Sequence, residues 1–341
     1  MYMRNIYDYT YDELNELLLS LNEKSFRTKQ IWEWLYVHKV ISFNAMTNLS
    51  KDLISKLKEN IIFDLIKIKT KQESDLTNKY LFELTDGNFI EAVLMRHDYG
   101  LSICVSSEVG CNMGCKFCES GRLKKVRNLH SYEIVQQIML IQNDLNERID
   151  SVVVMGIGEP FDNYDNIIRF IKIINNPFGL AIGARHITVS TCGLVPKIKE
   201  FMTLPLQVNL AISLHAPNNE LRNKIMPVNK AYPLEELIPC LKEYIEKTNR
   251  RITIEYVMLK EVNDSLACAD ELATLLKGMN AYVNLIPYNE TSHIEFLKSS
   301  KDQIRSFYDY LKKKGINVTV RKEFGSNIDA ACGQLRAKEG E

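Results

Sequence analysis

Residues 111–118 read CNMGCKFC, so Cys111, Cys115 and Cys118 stand at C-x3-C-x2-C, and no further cysteine or histidine follows to complete a set of four. Thiolates this close together suit a soft metal. Structural zinc takes four ligands, usually from two C-x2-C pairs. Cys104 would have to be the fourth, and it sits inside a predicted strand, an awkward place for a knuckle. A [4Fe–4S] cluster takes one thiolate for each iron it fixes. Three cysteines would leave one iron open to an outside ligand. The spacing favours the cluster over zinc, and zinc over unligated thiols.

A loop of this kind needs a scaffold. From about residue 96 the chain alternates short apolar runs with amphipathic stretches. The runs are SICVSS, SVVVMGIG, HITVSTCG, VNLAISLH, ITIEYVML, YVNLIPYN and INVTVRKE; YEIVQQIMLIQNDL, DNIIRFIKII, LEELIPCLKEYIEK and ACADELATLLKGM lie between them. Continuous apolar strands separated by helices predict an α/β fold with a buried parallel sheet, open or curled into a barrel. The polar residues gather at the predicted C-terminal strand ends, where such folds bind ligands: Gly158, Glu159, Ser190, Ser213, His215 and Asn289. Ahead of this region, TYDELNELLLSL, FRTKQIWEWLYVHK and TNLSKDLISKLKEN predict helices. KYLFEL and FIEAVLM around Asp86-Gly87-Asn88 predict a hairpin. The boundary falls near residue 95.

The composition is that of a soluble globular chain: 341 residues, 45% hydrophobic and 25% charged, with 43 basic and 43 acidic residues. Zero net charge does not exclude an RNA partner, because a local basic patch is enough. Lys116, Arg122, Lys124, Lys125, Arg127 and His130 form such a stretch beside the cysteine loop, with Glu119 the one acid among them. No apolar run approaches the ~20 residues of a membrane span, and the start carries no signal-peptide pattern. The expectation is a cytoplasmic protein whose eight cysteines are mostly unpaired, metal-bound or catalytic.

The cysteine loop followed by GEP resembles the radical S-adenosylmethionine (SAM) superfamily. The runs FRTKQIWEWLY, MTNLSK, CVSSEVGC, VRNL, MGIGEP, GARHITVST, SLHAPNNELR, LIPYN and IDAACGQL resemble, in order and over nearly the whole chain, the RlmN/Cfr family of radical SAM RNA adenine methyltransferases. The resemblance implies a partial (βα)6 barrel over 96–341, with residues 1–95 as a helical RNA-binding accessory domain plus hairpin. It implies one [4Fe–4S] cluster on Cys111, Cys115 and Cys118, and two SAM molecules per turnover. Gly158, Glu159, Ser190, Ser213, Leu214, His215 and Asn289 match SAM-contacting positions. Cys332 matches the cysteine that carries a methyl group, and Cys104 the one that resolves the adduct by a transient disulfide with Cys332. Glu91 matches a proton acceptor.

The implied substrate is an adenosine of 23S rRNA near the peptidyl transferase centre, with tRNA as a second substrate. The implied partner is an electron-donating reductase system, and the protein is expected to be a monomer. Methylation at C2 is favoured over C8, the modification that gives ribosomal antibiotic resistance. MPVNKAYPLEEL and GSNIDAACGQLRAK resemble the C2 branch, whereas CNMGCKFC, YVMLK and INVTVR suit either. Two competing readings are a zinc-stabilised, non-catalytic RNA-binding protein and a radical SAM enzyme with a small-molecule substrate.

Glu108, where the family commonly has glutamine, Glu119, where a small residue is usual, and the RLKK stretch depart from the pattern and bear on substrate choice. Cys192, Cys240 and Cys268 are expected to be structural, as buried cysteines commonly are. Trp32 and Trp34 are expected to pack rather than stack on bases. Arg27 and Lys29 belong to the expected RNA-binding element.

Overall fold

The structure, a computed structural model, describes residues 3–291, 293–321 and 335. Cys332 lies outside the described residues.

One ten-stranded sheet organises the fold: β1 (Lys67–Glu73), β2 (Thr77–Glu83), β3 (Phe89–His97), β4 (Gly100–Val105), β5 (Ser151–Val154), β6 (Ile187–Thr191), β7 (Asn209–Ser213), β8 (Ile252–Met258), β9 (Ala281–Pro287) and β10 (Asn317–Val320). Spatial order follows chain order from edge to edge. β1 to β4 pair antiparallel, and β4 to β10 pair parallel. The sheet does not close, so the barrel is partial. Strands β4 to β9, each followed by a helical crossover, make up the expected (βα)6 core, and β10 adds a further parallel strand. Among the described residues the helices of seven residues or more are α1 (Tyr11–Ser20), α2 (Phe26–Tyr36), α3 (Lys51–Asn60), α4 (Ser131–Leu145), α5 (Tyr164–Asn175), α6 (Val195–Phe201), α7 (Asn219–Ile225), α8 (Leu234–Thr248), α9 (Leu266–Leu275) and α10 (Lys301–Lys313). α4 onward fill the crossovers.

The parallel strands are apolar because helices cover them; Leu210, Ala211 and Ile212 of β7 are fully buried. The predicted hairpin is β2–β3, turning where Gly87 takes φ +80°. β1 was not foreseen. Its sequence KIKTKQE reads as polar because it is an edge strand, and lysines on an edge discourage pairing with another chain. Residue 95 falls inside β3, so the hairpin belongs to the same sheet as the barrel.

The three N-terminal helices form a separate layer. Thr10 and Glu13 make a capping box that starts α1, and Ser50 caps α3. The layer is fastened to the barrel by side chains. Asp8 caps α4, accepting from the Ser131 hydroxyl and from the Tyr132 N–H at 3.1 Å. Glu13 accepts from Arg169 of α5 at 2.6 Å. Trp32 is fully buried in this layer, as expected, and Trp34 is half-buried with its indole N–H on Asn48 at 2.5 Å. Among the described residues no helix is long and apolar enough to cross a membrane.

Candidate active site

A cavity of about 320 Å³ opens at the C-terminal ends of the parallel strands. Its lining brings together ten of the expected site residues: Cys104, the three loop cysteines, Gly158, Glu159, Ser190, Ser213, His215 and Asn289. This volume suits a cofactor-sized molecule.

The cysteine loop lies between β4 and α4. Burial pushes the Cys111 thiol up to about 12 and raises Cys115 further; Cys118 raises both, and Cys111 also raises Cys115. Three thiols that disfavour one another as thiolates fit a cationic centre that would neutralise them. No group of three or more His, Cys, Asp or Glu side chains among the described residues converges as donors on a single ion. A zinc site needs that convergence. An iron–sulfur cube is larger and takes one thiolate at each of three corners, so the loop fits a cluster better than a zinc knuckle.

Beyond β5 the chain turns through Gly156 to Glu159. Gly158 has φ +108°, and a Cβ there would lie 2.5 Å from the Glu108 Cγ, so the turn needs glycine. The Glu159 carboxylate is buried and accepts the N–H of Phe161 at 3.0 Å and of Cys192 at 2.8 Å. Burial still raises its pKa. The Ser190 and Ser213 hydroxyls are 3.4 Å apart. His215 is buried with φ +58°, and its Nδ1 accepts the Val257 N–H at 3.0 Å. Burial lowers its pKa to about 3, so it is neutral imidazole. It meets the Phe117 ring edge-on at 4.9 Å. The Leu214 side chain is fully buried in the core, so only its backbone can face a ligand.

Cys104 lies on β4 opposite Val93 of β3 and is buried. Glu91 is two residues before Val93 and therefore shares its face. Glu91 does not line the cavity; it forms an ion pair with the fully buried Lys79 at 3.1 Å. No disulfide joins the described cysteines. Cys192, Cys240 and Cys268 are buried, as expected, and Cys192 also lines the cavity.

The basic stretch is not a free patch. Lys125 bridges Glu108 at 2.5 Å and Asp162 at 2.7 Å. Arg127 pairs with Asp86 and Glu133, and Arg122 with the buried Glu119 at 3.0 Å. Glu119 belongs to the stretch itself, but Glu108, Asp162, Asp86 and Glu133 come from outside it, which composition within a window could not show. Lys116, Lys124 and His130 remain exposed. Two cavity residues were also missed, Glu255 and Arg321. A glutamate within the apolar run ITIEYVML was the available signal for the first.

The partial barrel with a cysteine loop after its first parallel strand defines a radical SAM enzyme, and residues 105–270 match the radical SAM superfamily. Residues 4–63 match the ribosomal RNA large subunit methyltransferase N-terminal domain. The chain belongs to the RlmN family of radical SAM RNA methyltransferases, and this membership implies a [4Fe–4S] cluster and SAM. It is 56% identical to the probable dual-specificity RNA methyltransferase RlmN of Streptococcus thermophilus, over 98% of this chain and 89% of that protein. It is 56% identical to the protein of the same name from Enterococcus faecalis, over 99% and 98%. A crystal structure of a radical SAM methyltransferase from Sphaerobacter thermophilus superposes with a TM-score of 0.92 at 41% identity, over 97% of this chain and 98% of that one.

Proposed function

We propose that this chain methylates C2 of an adenosine in 23S rRNA near the peptidyl transferase centre, and of a tRNA adenosine, through an S-methylcysteine at Cys332. The observation that supports this most is the position of Cys104: a thiol outside the cysteine loop stands in the wall of the same cavity. A cluster alone gives no reason for a fourth thiol there.

C2 of adenine is electron-poor and is no nucleophile, so polar attack on a methyl donor is closed to it. The cluster and SAM, when bound, supply a carbon radical able to take hydrogen from a methyl group. The chain's own residues do the rest. Cys111, Cys115 and Cys118 would hold three irons. Gly158 and Glu159 would hold the SAM amino group, and Ser190, Ser213, the Leu214 backbone, His215 and Asn289 would orient the adenosyl part. Neutral His215 is suited to hydrogen bonding rather than to charge. Cys332 presents its methyl carbon to the base. Cys104 then attacks the Cys332 sulfur, which releases the carbon to the ring and leaves a disulfide for a reductant to reopen. Glu91, on the face of β3 that Cys104 adjoins, takes the ring proton; the odd electron left on the adduct would return to the cluster, and the electron pair released from the C–S bond takes up a proton to complete the new methyl group. The target base must be drawn out of its stack to enter, and the N-terminal layer grips the RNA around it. An external reductase supplies electrons to a monomeric enzyme.

The resolving role is tested with Cys104→Ala protein. If Cys104 resolves the adduct, this variant, loaded with cluster and SAM and given substrate RNA, stays covalently attached to the RNA through Cys332. Free RNA bearing methyladenosine at the wild-type rate would overturn the role.

A further inference from the structure

Arg222 of α7 is fully buried, and among the described residues no carboxylate is paired with it. Its guanidinium donates to the Leu214 carbonyl at 3.2 Å, Asn229 Oδ1 at 2.8 Å, the Tyr232 carbonyl at 3.4 Å and the Cys192 carbonyl at 2.6 Å. All four acceptors are neutral. Lys79, the other fully buried cation among the described residues, has Glu91 as its anion. A buried charge that lacks an opposite charge is costly unless one comes to stand near it.

The surroundings of Arg222 say where that anion would be. The Ile225 carbonyl, one turn further along α7, accepts the Lys116 N–H of the cysteine loop at 2.9 Å. Cys115 and Phe117 pack against the small core that holds Cys192, Ile225 and Met226. Arg222 does not line the cavity, whereas Cys192 and Met226, its neighbours, do. Burial lowers the pKa of the guanidinium, and the sulfurs of Cys192 and Cys115 oppose that fall.

We infer that Arg222 is a fixed countercharge for an iron–sulfur centre on the cysteine loop, acting by its field through the cavity wall to raise the reduction potential of that centre. This rests on the reading that Cys111, Cys115 and Cys118 hold a [4Fe–4S] cluster. A cluster held by three thiolates carries net negative charge. Reduction adds one electron from the reductant, and no bond forms or breaks. Net charge and surroundings set the potential of such a centre, and in a dry interior a nearby cation makes the added electron easier to accept. Guanidinium suits the place because it keeps its proton where a buried ammonium readily loses one.

The test reads the potential and needs no turnover. Reconstituted wild-type, Arg222→Gln, Asn229→Asp and Asn229→Ala proteins are poised with redox mediators, without SAM or RNA, and the reduced cluster is counted by electron paramagnetic resonance. Arg222→Gln removes the charge. Asn229→Asp leaves the guanidinium in place and supplies the missing anion, so it decides the matter alone if Arg222→Gln does not fold. In both, the ratio of reduced to oxidised cluster at a fixed potential should fall ~10-fold, which is about 59 mV for a one-electron couple. Asn229→Ala loosens the same hydrogen bonds without changing charge and should stay near the wild-type ratio. An unchanged ratio in cluster-loaded Arg222→Gln or Asn229→Asp would overturn the assignment. An equal fall in Asn229→Ala would also overturn it, by tracing the effect to packing. Wild-type protein that takes up no cluster would remove the reading of the loop itself, an outcome distinct from a cluster whose potential ignores Arg222.

Discussion

The Glu159 N–H donates to the Glu108 carboxylate at 3.0 Å, and the same carboxylate meets Lys125 at 2.5 Å. The side chain of Glu108 therefore underlies the Gly158 turn on which the cavity depends. Burial pushes its pKa up to about 7, against the pull of Lys125 and the Glu159 N–H. An acid raised in the folded state stabilises it below the unfolded value near ~4.3 and loses that contribution as pH rises toward 7. Thermal denaturation of Glu108→Gln against wild type should show the wild type losing up to ~3 kcal/mol relative to the variant across that window. A difference that does not vary with pH would contradict the assignment.

His215 has its pKa lowered to about 3 by burial. The unfolded chain binds a proton near ~6.5 that the folded chain refuses, so stability should fall as pH drops below that value. His215→Asn should flatten this acid limb. His215→Ala should also strand the Val257 N–H, at a cost of ~1–3 kcal/mol. Urea denaturation at pH 5 and pH 8 measures both effects.

Glu119 ties the cysteine loop to the segment after β9, accepting the Thr291 hydroxyl at 2.6 Å while paired with Arg122. Glu119→Ala should leave the barrel folded and loosen the loop. Iron retained after gel filtration of reconstituted protein should drop severalfold, with far-ultraviolet circular dichroism unchanged. Full iron retention would show that the tether is dispensable.

Lys79 and Glu91 form a buried ion pair. Removing one partner strands the other charge, at ~3–5 kcal/mol. Lys79→Met alone should destabilise by about that amount, and adding Glu91→Leu should recover most of it. If Glu91 also accepts the ring proton, the stable double variant will bind RNA and SAM yet methylate slowly. Wild-type rates from it would reduce Glu91 to a structural role.

The sequence made the chemistry more legible than the surface. The strands, the helices and the C-x3-C-x2-C loop were readable because each is a local pattern with a fixed period or spacing. The polar ends of HITVST and VNLAISLH pointed to the cavity for the same reason. β1 was missed because an edge strand carries lysines where a buried one carries valines. The basic stretch was misread because the acids that answer Lys125 and Arg127 come from outside it, Glu108 ahead of the cysteine loop, Asp162 beyond the site turn, Asp86 of the hairpin turn and Glu133 of α4, and pairings of this kind exist only after folding. Glu255 was overlooked because one carboxylate in an apolar run does not disturb the pattern that identifies a strand.

The most direct test is the identity of the methylated base. Reconstituted protein, SAM and a reductant are incubated with 23S rRNA lacking the modification, and the digest is resolved by chromatography and mass spectrometry. The expected result is 2-methyladenosine that disappears with Cys332→Ala. 8-Methyladenosine, or 2-methyladenosine that persists without Cys332, would contradict the proposed reaction.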